Sequence, residues 1–161
     1  MREAPSVPER NGPVRVVFVC VENSCRSQMA EAFARALAGD RVEAHSAGSR
    51  PSGRVDPRAV AFMAELGLDL SSHRSTSVEN LPDADYDAVV MVGCEDACPS
   101  VAARRRLEWE IPDPKDLPPE AFRRVRDLIR DRVAGLLGEL TGIPGSEAGR
   151  GGRDDPARED G

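Results

Sequence analysis

The residues best suited to chemistry stand together in the stretch Cys20-Val21-Glu22-Asn23-Ser24-Cys25-Arg26-Ser27. A thiolate is a strong nucleophile, and a helix N-terminus with a guanidinium close by favours the thiolate over the thiol. Arg26 can grip two oxygens of a tetrahedral anion at once, a bidentate hold that lysine lacks. The Ser27 hydroxyl can donate to the Cys20 sulfur. The N–H groups of a short loop that runs into a helix add an anion site of their own. A lone cysteine at a strand end is commonly a small packing hydrophobe. Here the thiol, the loop length and the Arg-Ser pair agree on attack at a tetrahedral oxyanion. Two further thiols, Cys94 and Cys98, sit in the short polar segment Gly93-Cys94-Glu95-Asp96-Ala97-Cys98-Pro99, where the glycine can serve as a hinge. Their three-residue spacing permits intramolecular disulfide closure.

These residues need elements to hold them. Val14 to Val19 is β-branched and aromatic, a buried strand ending at Cys20. From Ser27 the period becomes helical, with Met29, Phe33 and Leu37 spaced four apart. Arg41 to Ser46 alternates like a second strand, and Ala47 to Gly53 reads as a loop. Asp56 caps a helix with Pro57 at its first position, followed by Ala59, Val60, Met63 and Leu66 and closed by Gly67. After a connector from Leu68 to Ser77, Tyr86 to Val92 reads as a third strand. A polar-basic stretch with Arg104, Arg105 and Arg106 precedes a fourth, Leu107 to Ile111. Pro119 opens a last helix striped by Phe122, Val125, Ile129, Val133, Leu136 and Leu140.

Alternating strands and helices predict an α/β domain: a single four-stranded parallel sheet with helices on both faces. Ligands of such sheets bind beyond the carboxyl ends of the strands. Cys20, Ser46-Ala47-Gly48, Cys94 and Asp113 follow the four strands in turn, so the chemistry gathers on one edge. The domain is expected over residues 14–141, between a disordered leader (1–13) and a disordered tail (142–161) of low hydrophobicity.

The 161 residues carry a net charge of −6, which argues against a nucleic-acid partner. Hydrophobic residues make up 40% of the chain yet form no spanning run, so no membrane partner is expected. The N-terminus lacks an apolar signal core, which points to the cytoplasm and to four cysteines reduced at rest. A zinc site built from the four cysteines and thiols with a packing role alone remain as alternatives, Arg26 counting against a bound cation. No metal is assigned. His45 and His73 read as structural, Trp109 as core, and the arginine run as a solvated face.

The spacing C-x5-R-S after a first strand resembles the low-molecular-weight protein tyrosine phosphatases. The longer string CVENSCRSQMAEAFA is most similar to the thioredoxin-coupled arsenate reductases built on the same fold. The resemblance runs from about Val14 to Leu140. It implies that Cys20 is the nucleophile and that Val21, Glu22, Asn23, Ser24, Cys25, Arg26 and Ser27 bind the oxyanion, with Asn23 bracing the loop. It implies that Asp113, in Ile111-Pro112-Asp113-Pro114, is the general acid, with Asp116 as the alternative. It also implies a relay: Cys20 attacks arsenate, Cys94 attacks Cys20 to release arsenite, and Cys98 attacks Cys94. No cofactor is then needed, the electrons coming from thioredoxin or a low-molecular-weight thiol. Glu22 departs from the phosphatase pattern, which has a small residue there, and an acidic side chain beside an anion site opposes binding. Glu31 and Ser46 match positions that some reductases use, with Asn23, to hold potassium, but the segment Arg74 to Glu79 does not supply a further ligand. A phosphatase using Cys20, Arg26 and Asp113 alone, or an oxyanion or redox sensor, are the other functions compatible with the loop.

Overall fold

The chain begins its ordered course with a strand whose side chains leave little choice. In the computed structural model, which describes residues 12–82, 84–93 and 101–142, β1 (Val14–Cys20) is buried from Val16 onward. β-Branched residues pack well on a pleated surface and resist helix. α1 (Arg26–Ala38) follows, rich in alanine, and buries Met29, Ala30 and Phe33. A 3₁₀ turn at Gly39–Arg41 leads to β2 (Val42–Gly48). α2 (Pro57–Ala64) starts where Asp56 accepts from the Arg58 N–H at 2.8 Å, the side-chain cap that a helix N-terminus favours. β3 (Tyr86–Val92) is buried at every position. β4 (Ala103–Trp109) and α3 (Pro119–Thr141) complete the order.

All four strands are parallel, in the order β2-β1-β3-β4. The chain leaves β1 on one side for β2 and returns on the other for β3. The carboxyl end of β1 is therefore the switch point, where α/β sheets open a crevice. Register brings Cys20 opposite Gly48 and Val92 opposite Trp109, so the segments that leave the sheet after Cys20, Gly48, Val92 and Trp109 emerge on one edge.

One face of the sheet, with Val16, Phe18, Ala88 and Val90, packs against buried residues of all three helices, including Met29, Met63, Phe122 and Ile129. Each such side chain contributes about 1.5–3 kcal/mol by leaving water. The other face holds Val17, Val19, Val89 and Met91 and is covered by Val78, Leu81, Ala84 and Val101. The expected helical cover is thus met on the first face by α1, α2 and α3. The second face is covered, among the described residues, by the 3₁₀ turn Val78–Asn80 and connectors, with no residue of the three α-helices in its cluster.

Several boundaries differ from those expected. β2 runs on to Gly48, so Ala47 and Gly48 belong to the strand rather than the loop. β4 begins at Ala103 and takes in the three arginines. It is an edge strand, where charged side chains reach water and discourage further pairing. α2 ends at Ala64, and Leu37 and Leu66 are exposed rather than part of the core. The leader and tail fall almost wholly on residues outside the described ones. No helix among the described residues is long and apolar enough to cross a membrane.

Candidate active site

Cys20 ends β1 with its side chain buried. Its Sγ lies 2.9 Å from Ser27 Oγ, and the Asn23 N–H donates to it at 3.2 Å. Asn23 Nδ2 donates to the same Ser27 oxygen at 2.8 Å. The serine hydrogen is therefore left to point at the sulfur. α1 begins at Arg26 with no side-chain cap and no acidic residue in its first turn. Its positive end is not neutralised by its own sequence and stays available to an anion.

The loop between them is held from outside. The carbonyls of Cys20, Val21, Glu22 and Ser24 accept from the N–H groups of Ser49, Arg50, Ser52 and Asp56 at 2.8–3.3 Å. These carbonyls are thus engaged away from the cysteine, as an anion nest requires of its loop. Asn23 is fully buried at φ 51°, a left-handed conformation that asparagine tolerates better than most residues. Its Oδ1 accepts from the Thr76 N–H at 2.7 Å and from Gln28 Nε2 at 3.0 Å. These bonds tie the Asn23 side chain to α1 and to the chain at Thr76. Gly48 allows the close approach: a Cβ there would stand 2.5 Å from the Val21 carbonyl oxygen.

A cavity of about 170 Å³ opens over Cys20. Val21, Glu22, Ser24, Cys25 and Arg26 line it from the loop, Asp56 and Gly93 from its sides, and Asp113 and Lys115 from the segment after β4. Arg26, 14% exposed, donates from Nη1 to the Ile111 carbonyl at 2.8 Å and holds Nη2 3.8 Å from Asp113 Oδ2. Its guanidinium rests on Gly93, where an added Cβ would lie 1.9 Å from Nη1. Asp113 is 56% exposed and accepts the Lys115 N–H at 3.0 Å. Asp113, not the alternative Asp116, reaches the cavity.

Glu22 does not aim its charge into the cavity unopposed. Its Oε1 stands 3.6 Å from Lys115 Nζ. Cys25 is the other loop thiol, and burial first, then the Asp56 and Asp113 carboxylates, push it well above the ordinary thiol range. It stays protonated and inert. Cys94 and Cys98 lie outside the described residues. Lys115 was not singled out from sequence, and Gly48 appeared there only within Ser46-Ala47-Gly48 after the second strand. No local pattern marks Lys115, while Gly93 showed only as a hinge beside Cys94.

A second cavity, about 310 Å³, lies behind the loop and includes Glu31, Arg35, Ser46 and His73 in its lining. Glu31 accepts from Ser46 Oγ at 2.5 Å and from Arg35 Nη2 at 2.6 Å. His73 Nδ1 lies 2.9 Å from Gln28 Oε1, and burial lowers its pKa, with Glu31 pulling the other way. His73 is therefore a neutral donor to Gln28, the structural role expected of it. Among the described residues no group of three or more His, Cys, Asp or Glu side chains has the geometry to hold a metal ion.

Residues 15–142 match the sequence model of the low molecular weight phosphotyrosine protein phosphatases. The glutaredoxin arsenate reductase of Synechocystis sp. is 38% identical over 79% of this chain and 98% of its own length. An arsenate reductase of Staphylococcus aureus is 40% identical over 71% of this chain and 89% of its own. Among solved structures, an arsenate reductase in the phosphate-binding state superposes with a TM-score of 0.73 at 38% identity, over 79% of this chain and 98% of that one. A thioredoxin-dependent arsenate reductase of Corynebacterium glutamicum follows with a TM-score of 0.66 at 30% identity, over 83% and 65%.

Proposed function

The chain belongs to the low molecular weight phosphotyrosine protein phosphatase family, and we propose that within it this protein is an arsenate reductase. The observation that carries the chemistry is the Cys20 sulfur, held by the Ser27 hydroxyl and the Asn23 N–H beneath an oxyanion-sized cavity. The choice of arsenate rests on relatives that are 38% and 40% identical over most of the chain and carry that name.

In this reading the Cys20 thiolate attacks arsenic. Arg26 and the loop N–H groups hold the arsenate oxygens, and Asp113 gives a proton to the oxygen that departs as water. A covalent thio-arsenate is left on Cys20. The Cys94 thiolate then attacks the Cys20 sulfur. The S–As bond breaks with its electron pair passing to arsenic, so As(V) leaves as As(III) and the two thiols become a disulfide. Attack by Cys98 on Cys94 frees Cys20 and moves the disulfide to Cys94–Cys98. Gly93, immediately before Cys94, lines the cavity, which supports a role for this segment.

The electron donor is a protein or small thiol. The names of the relatives, one glutaredoxin and one thioredoxin-dependent, support a dithiol protein. Such a relay needs a compartment that keeps thiols reduced, as the cytoplasm does. The second reading, phosphate monoester hydrolysis through a phosphocysteine at Cys20, is favoured only by the family's own chemistry and uses Cys20, Arg26 and Asp113 without the other thiols.

Cys98→Ser separates the two. It should abolish multiple-turnover arsenate reduction, measured with excess donor, and leave hydrolysis of an aryl phosphate within about threefold of wild type. Equal loss of both activities would sink the relay.

A further inference from the structure

Two ion pairs line the Cys20 cavity, and each joins the anion loop to the segment after β4. Arg26 reaches Asp113 at 3.8 Å, and Glu22 reaches Lys115 at 3.6 Å, with the signs exchanged between the two sides. The first pair uses groups required by the reaction. The second does not. Glu22 stands two residues from the nucleophile, where its carboxylate alone would repel any anion that enters.

We infer that Glu22 and Lys115 form a charge-compensated bar across the mouth, which admits compact inorganic oxyanions and turns away organic phosphate esters. The inference rests on the oxyanion chemistry proposed for Cys20. An inorganic tetrahedral anion fits wholly beneath the bar. An ester or phosphonate must pass its organic group out through the mouth, where the bar lies.

Both stems are fixed, although the two side chains are 46% and 54% exposed. The Glu22 carbonyl accepts from the Ser52 N–H and from Ser75 Oγ, each at 3.0 Å. Lys115 is held on both sides of its α-carbon. Its N–H donates to Asp113 Oδ1 at 3.0 Å, and its carbonyl accepts from Arg58 Nη1 at 2.9 Å. Arg58 in turn donates to the Leu117 carbonyl at 2.6 Å and lies 4.7 Å from the centre of the Phe122 ring. The backbone is therefore held at both ends of the bar, at Lys115 through Arg58 to α2 and α3 and at Glu22 through Ser52 and Ser75.

Charge and size make separable demands. Removing either partner opens the mouth, but the two removals act oppositely on anion affinity. Without Glu22, Lys115 becomes an uncompensated cation beside the anion. Without Lys115, Glu22 becomes an uncompensated carboxylate.

Titration calorimetry on the full-length reduced protein tests both demands without turnover, using inorganic phosphate and phenylphosphonate as probes. Wild type should prefer phosphate by at least about tenfold. Glu22→Ala should tighten both anions and narrow that preference by about threefold or more. Lys115→Ala should weaken phosphate by about threefold while also narrowing the preference. The double variant should return phosphate to near the wild-type affinity with the preference still narrowed. A wild type without the preference, or a preference unchanged in all three variants while phosphate still binds, overturns the bar alone. Failure of wild type to bind phosphate overturns the oxyanion reading with it.

Discussion

The two cavities on either side of the anion loop are built from similar residues and held in opposite ways. Behind the loop, Glu31 is saturated by Ser46 and Arg35 at 2.5 and 2.6 Å, and His73 is committed to Gln28. In front, the ion pairs stand at 3.6 and 3.8 Å and their members are partly open to water. Charge-assisted bonds of the first kind are short and strong. Pairs of the second kind are looser and leave donor and acceptor capacity on each partner. The rear cavity is scaffold, and the front one has charges to spare for a substrate. Gln28 connects them, since Nε2 donates to both oxygens of Asn23 while Oε1 faces His73.

The largest effect that could break this division is at the nucleophile. Cys20→Ser should remove arsenate reduction and aryl phosphate hydrolysis by at least about 10³-fold, and survival of either in a steady-state assay would refute its role. Asn23→Ala touches the bridge between the regions. It forfeits several buried hydrogen bonds and puts alanine at φ 51°, so about 2–4 kcal/mol of stability should go. A tenfold or greater fall in kcat should accompany it, checked by denaturant unfolding and kinetics together. Glu31→Gln lies wholly in the rear. It should cost about 1–3 kcal/mol through the partners it leaves behind while kcat stays within about threefold. A kcat loss as large as that of Asn23→Ala would erase the distinction between the cavities.

The smallest effect is a pH slope. Because burial holds the His73 pKa below its ordinary value of 6.5, the folded state binds fewer protons there than the unfolded chain. Its contribution is fully present above pH 6.5 and lost as pH falls through that value toward the folded pKa. His73→Asn, which keeps a donor to Gln28, should flatten the fall of the melting temperature between pH 7 and pH 5. An unaltered profile would show that His73 does not supply it.

Much of this was legible in the residues. β3 runs from Tyr86 to Val92 as expected, because the apolar run Ala88–Val92 between polar residues has few other homes. Asp56-Pro57 starts α2 as the pairing of cap and proline requires. β4 was harder. Its arginines look like a loop, yet an edge strand needs only one half-buried row, here Ala103, Leu107 and Trp109. Leu37 and Leu66 fit their helical periods but lie beyond the reach of a neighbouring element, and period alone does not tell where the partner ends. The orientation of Glu22 depended on Lys115, a residue far along the chain, and no short-range pattern encodes such a meeting. The thiol pair at Cys94 and Cys98 was read from residue type and resemblance, and it lies outside the described residues.

Gly93 sets the place of Arg26. It sits at φ 79°, and the Arg26 guanidinium occupies the space its side chain would need. The floor beneath the Arg26 guanidinium is thus the backbone of Gly93 itself. A side chain at residue 93 would have to displace the guanidinium, so this one position of the backbone decides where the arginine can stand.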